Sequence, residues 1–306
     1  MNHFKRLTLI GIILFALFGC QGKIQENNEQ PILYTSIYPI EFVVEKLTAD
    51  FAATKAIFPP GVDAHTYEPT IKDILALADG VAFFYLGESM EGSADKISNA
   101  LNNTDVQLVE LSTYDELFIE AATDHDHHGH SHGDYDPHFW FDPERMIILS
   151  EILKDILSEL FPEEEETITN NFETLSEGLN QLDAQYTEQL SEVNNPYIIV
   201  SHAAYGYWEM KYGIKQIPIS GVLSTDEPSQ QALAHLVDLA NTEQISYVLF
   251  EQSTSNRLAT IVQEELTADA LYIHNLETLL PTDLQAKEDY FTLMEKNLEV
   301  LIQATK

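Results

Sequence analysis

Two hydrophobic patterns follow one another along this chain from Pro31 to its last residues. Short runs of consecutive apolar residues are separated by longer segments in which apolar residues recur every three or four positions. The short runs are typical of strands buried on both faces, and the longer spacing is typical of helices with one buried side. Because the two patterns alternate, the chain is predicted to form parallel sheets covered by helices.

The alternation occurs in two blocks. In the first block we predict strands at 32–36, 54–58, 81–86 and 106–111 and helices at 40–49, 71–78 and 146–160. In the second block we predict strands at 197–201, 214–218, 247–250 and 270–274 and helices at 203–211, 228–240, 256–266 and 283–304. Ligands of open α/β sheets bind beyond the carboxyl ends of the strands, so candidate chemistry is sought there.

An uninterrupted helical pattern separates the two blocks. From Glu163 to Val193 there is no Pro, and one stripe of apolar residues recurs at spacings of three or four: Ile168, Phe172, Leu175, Leu179, Leu182, Tyr186 and Leu190. A helix of this length is roughly 45 Å long at a rise of ~1.5 Å per residue. We therefore expect an α/β fold of two parallel-sheet lobes, 31–162 and 195–306, bridged by one long rigid helix at 163–194.

The N-terminus has the composition of a secretory signal. A basic segment and an apolar run precede Cys20, and the run is too short to span a membrane. Cys20 at this point resembles the lipidation site of bacterial lipoproteins, although Phe18 is bulkier than that pattern usually has; an ordinary signal peptide with an incidental Cys is the alternative. We expect residues 1–19 to be removed and 20–30 to form a polar tether. Lipid on Cys20 would anchor the protein to the cell membrane, facing the extracytoplasmic side.

The charge of the chain excludes several partners. It has 15 Lys and Arg against 50 Asp and Glu, which gives a formal net charge of −35. Such a surface repels nucleic acid and anionic lipid, so nucleic acid is no expected partner and membrane association depends on the lipid anchor. A single Cys allows no internal disulfide and no cysteine-based zinc site.

Five of the eleven His residues lie in one polar tract, 124–134. They are His125, His127, His128, His130 and His132. Imidazole and carboxylate groups suit zinc, copper or nickel, and a tract this polar cannot form a core. We therefore expect a flexible loop that binds metal weakly, with a low-complexity loop of no particular role as the alternative.

Three further His residues share one kind of position. His65, His138 and His202 each lie at a predicted strand–helix junction, two in the first block and one in the second. A single His is more often structural than a ligand, but three in the same relation to the sheets favour one metal site. His274, at the end of a predicted strand, is a weaker candidate.

Four motifs in this chain together resemble those of one known family. They are Gly-x-x-x-His-x-Tyr-Glu-Pro-Thr around His65, Asp-Pro-His-x-Trp-x-Asp-Pro around His138, Ser-His-x-Ala-x-Gly-Tyr around His202, and Ser224-Thr225-x-Glu227-Pro228-Ser229. From about Ile32 to Leu301 the chain is similar to the metal-binding lipoproteins of bacterial ABC importers for zinc and manganese. The resemblance implies two α/β lobes with metal in the cleft between them. It also implies a monomer whose partners are an ABC permease and its ATPase subunit.

The same resemblance makes His65, His138 and His202 metal ligands. The resemblance also implies that the fourth ligand comes from the loop after a late strand. Glu277 is favoured there, and water or His274 are the alternatives. Glu251 is the remaining candidate for this fourth ligand, or else an acceptor that orients a His side chain. The His-rich tract is typical of the zinc branch of the family.

The ligand types favour zinc as the cargo. Three imidazoles and one carboxylate suit four-coordinate Zn²⁺, whereas Mn²⁺ prefers more oxygen ligands, and manganese relatives carry a carboxylate where this chain has His202. We therefore expect a zinc-binding component of an ABC importer rather than an enzyme. The alternatives are a manganese-binding homologue and a surface adhesin with incidental metal. A zinc hydrolase is disfavoured because the chain has no His-Glu-x-x-His motif and a fourth protein ligand would close the site.

Overall fold

Two parallel four-stranded sheets form the framework of the chain. The computed structural model describes residues 30–87, 91–120, 135–222, 228–252 and 257–306. The first sheet contains β1 Ile32–Thr35, β2 Ala53–Ala56, β3 Ala82–Tyr85 and β4 Gln107–Glu110. Its strands lie in the order β2-β1-β3-β4. The connecting helices are α1 Tyr38–Thr48, α2 Ile71–Leu77 and α3 Ala94–Leu101.

A short antiparallel pair and two long helices lead to the second sheet. The pair consists of β5 Ile119–Glu120 and β6 Tyr135–Asp136. Helix α4, Pro143–Leu160, begins after Asp142, whose side chain accepts the N–H of Glu144, and proline suits the first helical position because it has no N–H to satisfy. Helix α5 extends for 26 residues, Glu165–Leu190.

The second sheet repeats the β/α alternation. In chain order its elements are β7 Tyr197–His202, α6 Gly206–Tyr212, β8 Lys215–Ser220, α7 Gln230–Thr242, β9 Tyr247–Glu251, α8 Arg257–Leu266, β10 Asp269–Ile273, α9 Pro281–Ala286 and α10 Tyr290–Ala304. The strands lie in the order β10-β9-β7-β8. All strand pairs within these two sheets are parallel, which confirms the α/β fold class expected from the sequence.

A continuous core joins both sheets to the long helix α5. Six of the seven residues of the predicted stripe are buried and Phe172 is half-buried against the same core; the six are Ile168, Leu175, Leu179, Leu182, Tyr186 and Leu190. Ile198 and Val200 of β7 belong to the same core, while Ile199 faces the opposite side and packs with α7 and α8. Pro31–Lys306 forms one compact unit, so the limits of the two lobes stay a prediction, whereas the long helix extends over Glu165–Leu190.

The structure differs from the prediction at the end of the chain. The pattern predicts one helix over 283–304, but α9 ends at Ala286 and α10 begins at Tyr290. Lys287 has a φ of +57°, a left-handed conformation that ends α9. Asp289 then caps α10 by accepting the N–H of Thr292. Helix α3 and the β5–β6 pair have no predicted counterpart.

Several sequence-based predictions lie outside the described residues. They concern the signal segment 1–19 with Cys20, most of the tether 20–30, the His-rich tract 124–134, and residues 224–227 of the fourth motif. Within the described ranges, no helix combines the length and the hydrophobicity needed to cross a membrane.

Candidate metal centre

Four residues from separate parts of the chain lie close together, near the carboxyl ends of strands. His65 lies between β2 and α2, and His138 follows β6. His202 is the last residue of β7, and Glu277 lies between β10 and α9. The structure brings these four sequence-predicted residues into one group, at the edge of the sheets where ligands of α/β folds bind.

The group is small and buried. Its four ligand atoms all lie within 4.8 Å of one another. Nε2 of His138 lies 3.3 Å from Nε2 of His202, and Nε2 of His65 lies 3.3 Å from Oε1 of Glu277. The most exposed of the four side chains, His65, is only 7% exposed. Three imidazoles and one carboxylate therefore surround a space that one metal ion can occupy.

Two further carboxylates fix the orientation of two His rings. Oδ1 of Asp136 lies 2.7 Å from Nδ1 of His138 and also accepts the N–H of that residue. At the end of β9, Glu251 contacts Nδ1 of His202 and accepts the hydroxyl of Ser201. When Nδ1–H donates to a carboxylate, the lone pair of the neutral ring lies on Nε2. In both residues Nε2 is the atom that faces the group.

Burial and neighbouring charges act in opposite directions on the pKa values. Burial alone would lower the pKa of His65, but the Glu277 carboxylate raises it to about 9. Burial alone would raise the pKa of Glu277, but the His side chains, above all His65, lower it to about 2. Burial dominates at His138 and lowers its pKa, whereas Glu251 overcomes burial at His202 and raises its pKa. At neutral pH a charged His65–Glu277 pair therefore lies beside a neutral His138.

The unpaired atoms of the group point to a cation. Nε2 of His65 and Oε1 of Glu277 lie at ion-pair distance, yet both are buried without a well-oriented hydrogen bond. The Nε2 atoms of His138 and His202 also face each other, at 3.3 Å. Buried polar atoms without partners are costly, and an ion between these donors removes that cost. Nitrogen and carboxylate donors in this number fit four-coordinate Zn²⁺.

The two weaker candidates have other partners. Nδ1 of His274 accepts the N–H of Leu276 at 2.9 Å, and Nε2 lies 3.1 Å from Oδ2 of Asp283. His274 therefore does not join the group, because both of its ring nitrogens are already bound. Of the two roles expected for Glu251, the contact with Nδ1 of His202 corresponds to orientation of that ring.

Sequence reasoning did not identify the contacts of Asp136 and Ala64. Asp136 precedes His138 by two residues, and Asp side chains commonly accept an N–H two residues later, so the Asp-Pro-His motif contained a usable signal. The N–H of Ala64 donates to Oε2 of Glu277 at 3.4 Å. No local pattern reveals this contact, because the two residues are 213 positions apart.

Aromatic donors from the second half of the chain hold the segment 136–142, which we call the His138 segment. Three buried side chains donate to its main-chain carbonyls, at 2.8, 2.8 and 2.6 Å: Tyr207 to Asp136, Trp208 to Phe141 and Tyr290 to Trp140. In return, the indole of Trp140 donates to the carbonyl of Asn275 at 2.9 Å. These bonds fix the position of His138 relative to the second sheet.

Comparison with known proteins finds relatives that are named for zinc binding or zinc uptake. A family profile described as zinc-uptake complex component A, periplasmic (ZnuA), matches residues 33–304. The zinc-binding lipoprotein AdcA of Streptococcus pneumoniae (strain ATCC BAA-255 / R6) is 34% identical over 98% of this chain and 61% of its own length. The high-affinity zinc uptake system protein ZnuA of Bacillus subtilis (strain 168) is 25% identical over 92% of this chain and 89% of its own length. The chain thus spans less than two thirds of AdcA.

A solved structure supports the same relationship. The Zn(II)-bound ZnuA-like domain of Streptococcus pneumoniae AdcA is 31% identical to this chain, with a TM-score of 0.74. The alignment covers 90% of this chain and 99% of that domain. The part of AdcA to which this chain corresponds is therefore its ZnuA-like domain.

Proposed function

Since the chain belongs to the zinc-uptake complex component A family, we propose that it captures Zn²⁺ outside the cytoplasm and delivers it to an ABC permease. In this role the protein binds zinc and releases it unchanged, without catalysing a reaction. The relatives AdcA and ZnuA are described as zinc-binding and zinc-uptake proteins, in agreement with this function.

One observation carries the proposal: four buried donors lie within 4.8 Å of one another, with atoms that lack other partners. We propose His65, His138, His202 and Glu277 as the ligands of the zinc ion. Three of the donors are imidazole nitrogens, and the group contains a single carboxylate. This composition favours zinc over manganese, which prefers more oxygen ligands.

The finer features of the proposal come from the sequence pattern. We propose that lipid on Cys20 anchors the protein at the outer side of the cell membrane, as the name zinc-binding lipoprotein of the relative AdcA supports. The partners would be the permease and its ATPase subunit. The His-rich tract 124–134 would bind zinc weakly and increase its supply to the buried group.

Zinc binding by ligand variants tests this function. Protein purified without added metal is titrated with Zn²⁺ against a competing chelator between pH 5.5 and 7.5. We expect His202→Ala to weaken binding far more than Glu277→Ala. Water can replace a carboxylate in the fourth position, whereas loss of His202 also removes the contact of the second sheet with His138.

An exposed histidine provides the matched control. His235 on α7 lies outside the group, so His235→Ala should keep wild-type zinc affinity. Wild-type affinity and pH dependence in His202→Ala would contradict the proposed ligand set. In the source organism, deletion of the gene should slow growth only in zinc-depleted medium, and added zinc should restore it.

A further inference from the structure

His274 is buried next to the connection that carries Glu277, and all of its polar groups have partners. It is 3% exposed and directly follows β10. Its main-chain N–H and carbonyl bind the side-chain amide of Asn297, at 2.9 and 2.8 Å. Because Nδ1 accepts the N–H of Leu276, the proton of the neutral ring lies on Nε2, which donates to Asp283. The ring is thus held in one tautomer with no nitrogen free for metal.

The contact between His274 and Asp283 joins the two ends of the connection between β10 and α9. Oδ2 of Asp283 also accepts the N–H of Leu280, at 2.7 Å. Between these ends, Leu276 has a φ of +64°, which is unfavourable for a residue with a branched side chain. The His274 ring accepts a hydrogen bond from the N–H of Leu276. It therefore stabilises the turn that directs the next residue, Glu277, towards the other ligands.

Glu277 faces the metal group with one of its two oxygens. Its main-chain carbonyl accepts the N–H of Tyr38 at 2.8 Å, and Oε2 accepts the N–H of Ala64 at 3.4 Å. Oε1 is the oxygen next to His65. One oxygen and three nitrogens make the four donors that suit Zn²⁺. A carboxylate free to turn can offer both oxygens and so approach the higher coordination that suits Mn²⁺.

We propose that His274, acting through Leu276 and Asp283, is a positioning residue that presents Glu277 to the metal through a single oxygen and thereby favours zinc over manganese. The inference rests on the proposed function, because it requires Glu277 to bind the cargo. His274 itself makes no contact with the ion. Its effect on affinity and on metal choice passes entirely through the position of Glu277.

Two substitutions at His274 separate its contacts. His274→Ala removes both hydrogen bonds of the ring. His274→Asn keeps an oxygen that can accept the N–H of Leu276 but is too short to bind Asp283. In the full chain, we expect His274→Ala to weaken Zn²⁺ binding about 10- to 100-fold and Mn²⁺ binding less. The ratio of the two affinities should fall about tenfold, and His274→Asn should restore part of it.

Spectroscopy and a double-mutant cycle distinguish positioning from a general loss of stability. Co²⁺ is the spectroscopic probe, because its visible absorption is strong in four-coordinate sites and weakens when the coordination number rises. We expect a weaker band in His274→Ala than in the wild type. Glu277→Gln should weaken zinc binding in the wild type but have little further effect in His274→Ala, because both changes remove the same interaction.

His235→Ala is again the control, and it should leave the affinities and the spectrum unchanged. If His274→Ala does not fold, Asp283→Ala takes its place, with the same fall in the zinc-to-manganese ratio expected. A lower melting temperature with a wild-type ratio and spectrum would overturn the positioning role. If the wild type itself does not prefer zinc to manganese, the proposed function fails instead.

Discussion

At the scale of single residues, a proton and a zinc ion would compete for Nε2 of His65 in the proposed site. The Glu277 carboxylate raises the pKa of His65 to about 9, so the zinc-free protein carries a proton there at neutral pH. His138 has a lowered pKa and offers its lone pair without losing a proton. Zinc binds only neutral imidazole. The neighbouring carboxylates therefore determine how many protons leave when zinc arrives.

Zinc binding at pH 7.5 should release about one proton from His65, and in addition any proton that His202 carries. As the pH falls below about 9, where His65 gains its proton, zinc affinity should fall about tenfold per unit for each proton displaced. Titration calorimetry in two buffers with different ionisation enthalpies measures the number of protons.

Glu277→Gln provides the sharpest comparison for proton release. Without the carboxylate, the pKa of His65 loses the interaction that raises it, so this variant should release fewer protons than the wild type. His235→Ala should release the wild-type number. If Glu277→Gln also releases that number, the His65–Glu277 pair does not carry the displaced proton.

The sequence was sufficient to identify residues that lie at strand ends within recognisable motifs. His65, His138 and His202 could be predicted because their motifs are local and each lies at or beyond the end of a strand. The contact of His274 with Asp283 could not be predicted, because it depends on where α9 begins. The break at Lys287 was also missed, since a lysine rarely adopts a positive φ.

At the scale of secondary structure elements, α5 contributes most of its stabilisation through one face. Its apolar stripe contacts the core shared by both sheets, and the hydroxyl of Tyr186 donates to the carbonyl of Met294 on α10 at 2.7 Å. The opposite face of the helix is exposed. A substitution on the buried face therefore affects the packing of both halves of the chain, whereas a substitution on the exposed face does not.

Leu179→Ala should destabilise the zinc-free protein by about 2–5 kcal/mol, because it removes a fully buried side chain and leaves a cavity. Urea denaturation followed by circular dichroism measures the loss in the free energy of unfolding. Gln181 lies two residues after Leu179 but on the exposed face of α5. Gln181→Ala should therefore change this free energy by less than about 0.5 kcal/mol. Equal losses in the two variants would contradict the one-sided packing of α5.

At the scale of the whole molecule, the net charge of −35 surrounds the buried group with a negative field. A field of this sign attracts divalent cations and raises their rate of association, and dissolved salt weakens it. Zinc association should therefore slow by about tenfold when the ionic strength rises from about 10 to 300 mM. Stopped-flow fluorescence can follow binding, because the ring of Trp140 lies 5.1 Å from that of His138.

Wild-type protein is used for this measurement, because the indole of Trp208 bonds to the His138 segment and its replacement would disturb the group. Sucrose added to the same osmolality in place of salt should leave the association rate close to its low-salt value, after correction for viscosity. A rate that does not depend on ionic strength would show that the acidic surface has no part in attracting zinc.

The bonds that α6 and α10 make to the His138 segment have a consequence for the evolution of this protein. His138 is encoded in the first half of the gene, but the side chains that hold its main chain are encoded later. A recombination event that replaced one half with that of a distant relative would transfer His138 without the donors that align it. We therefore expect both halves of the gene to be inherited together, because neither half alone keeps His138 aligned.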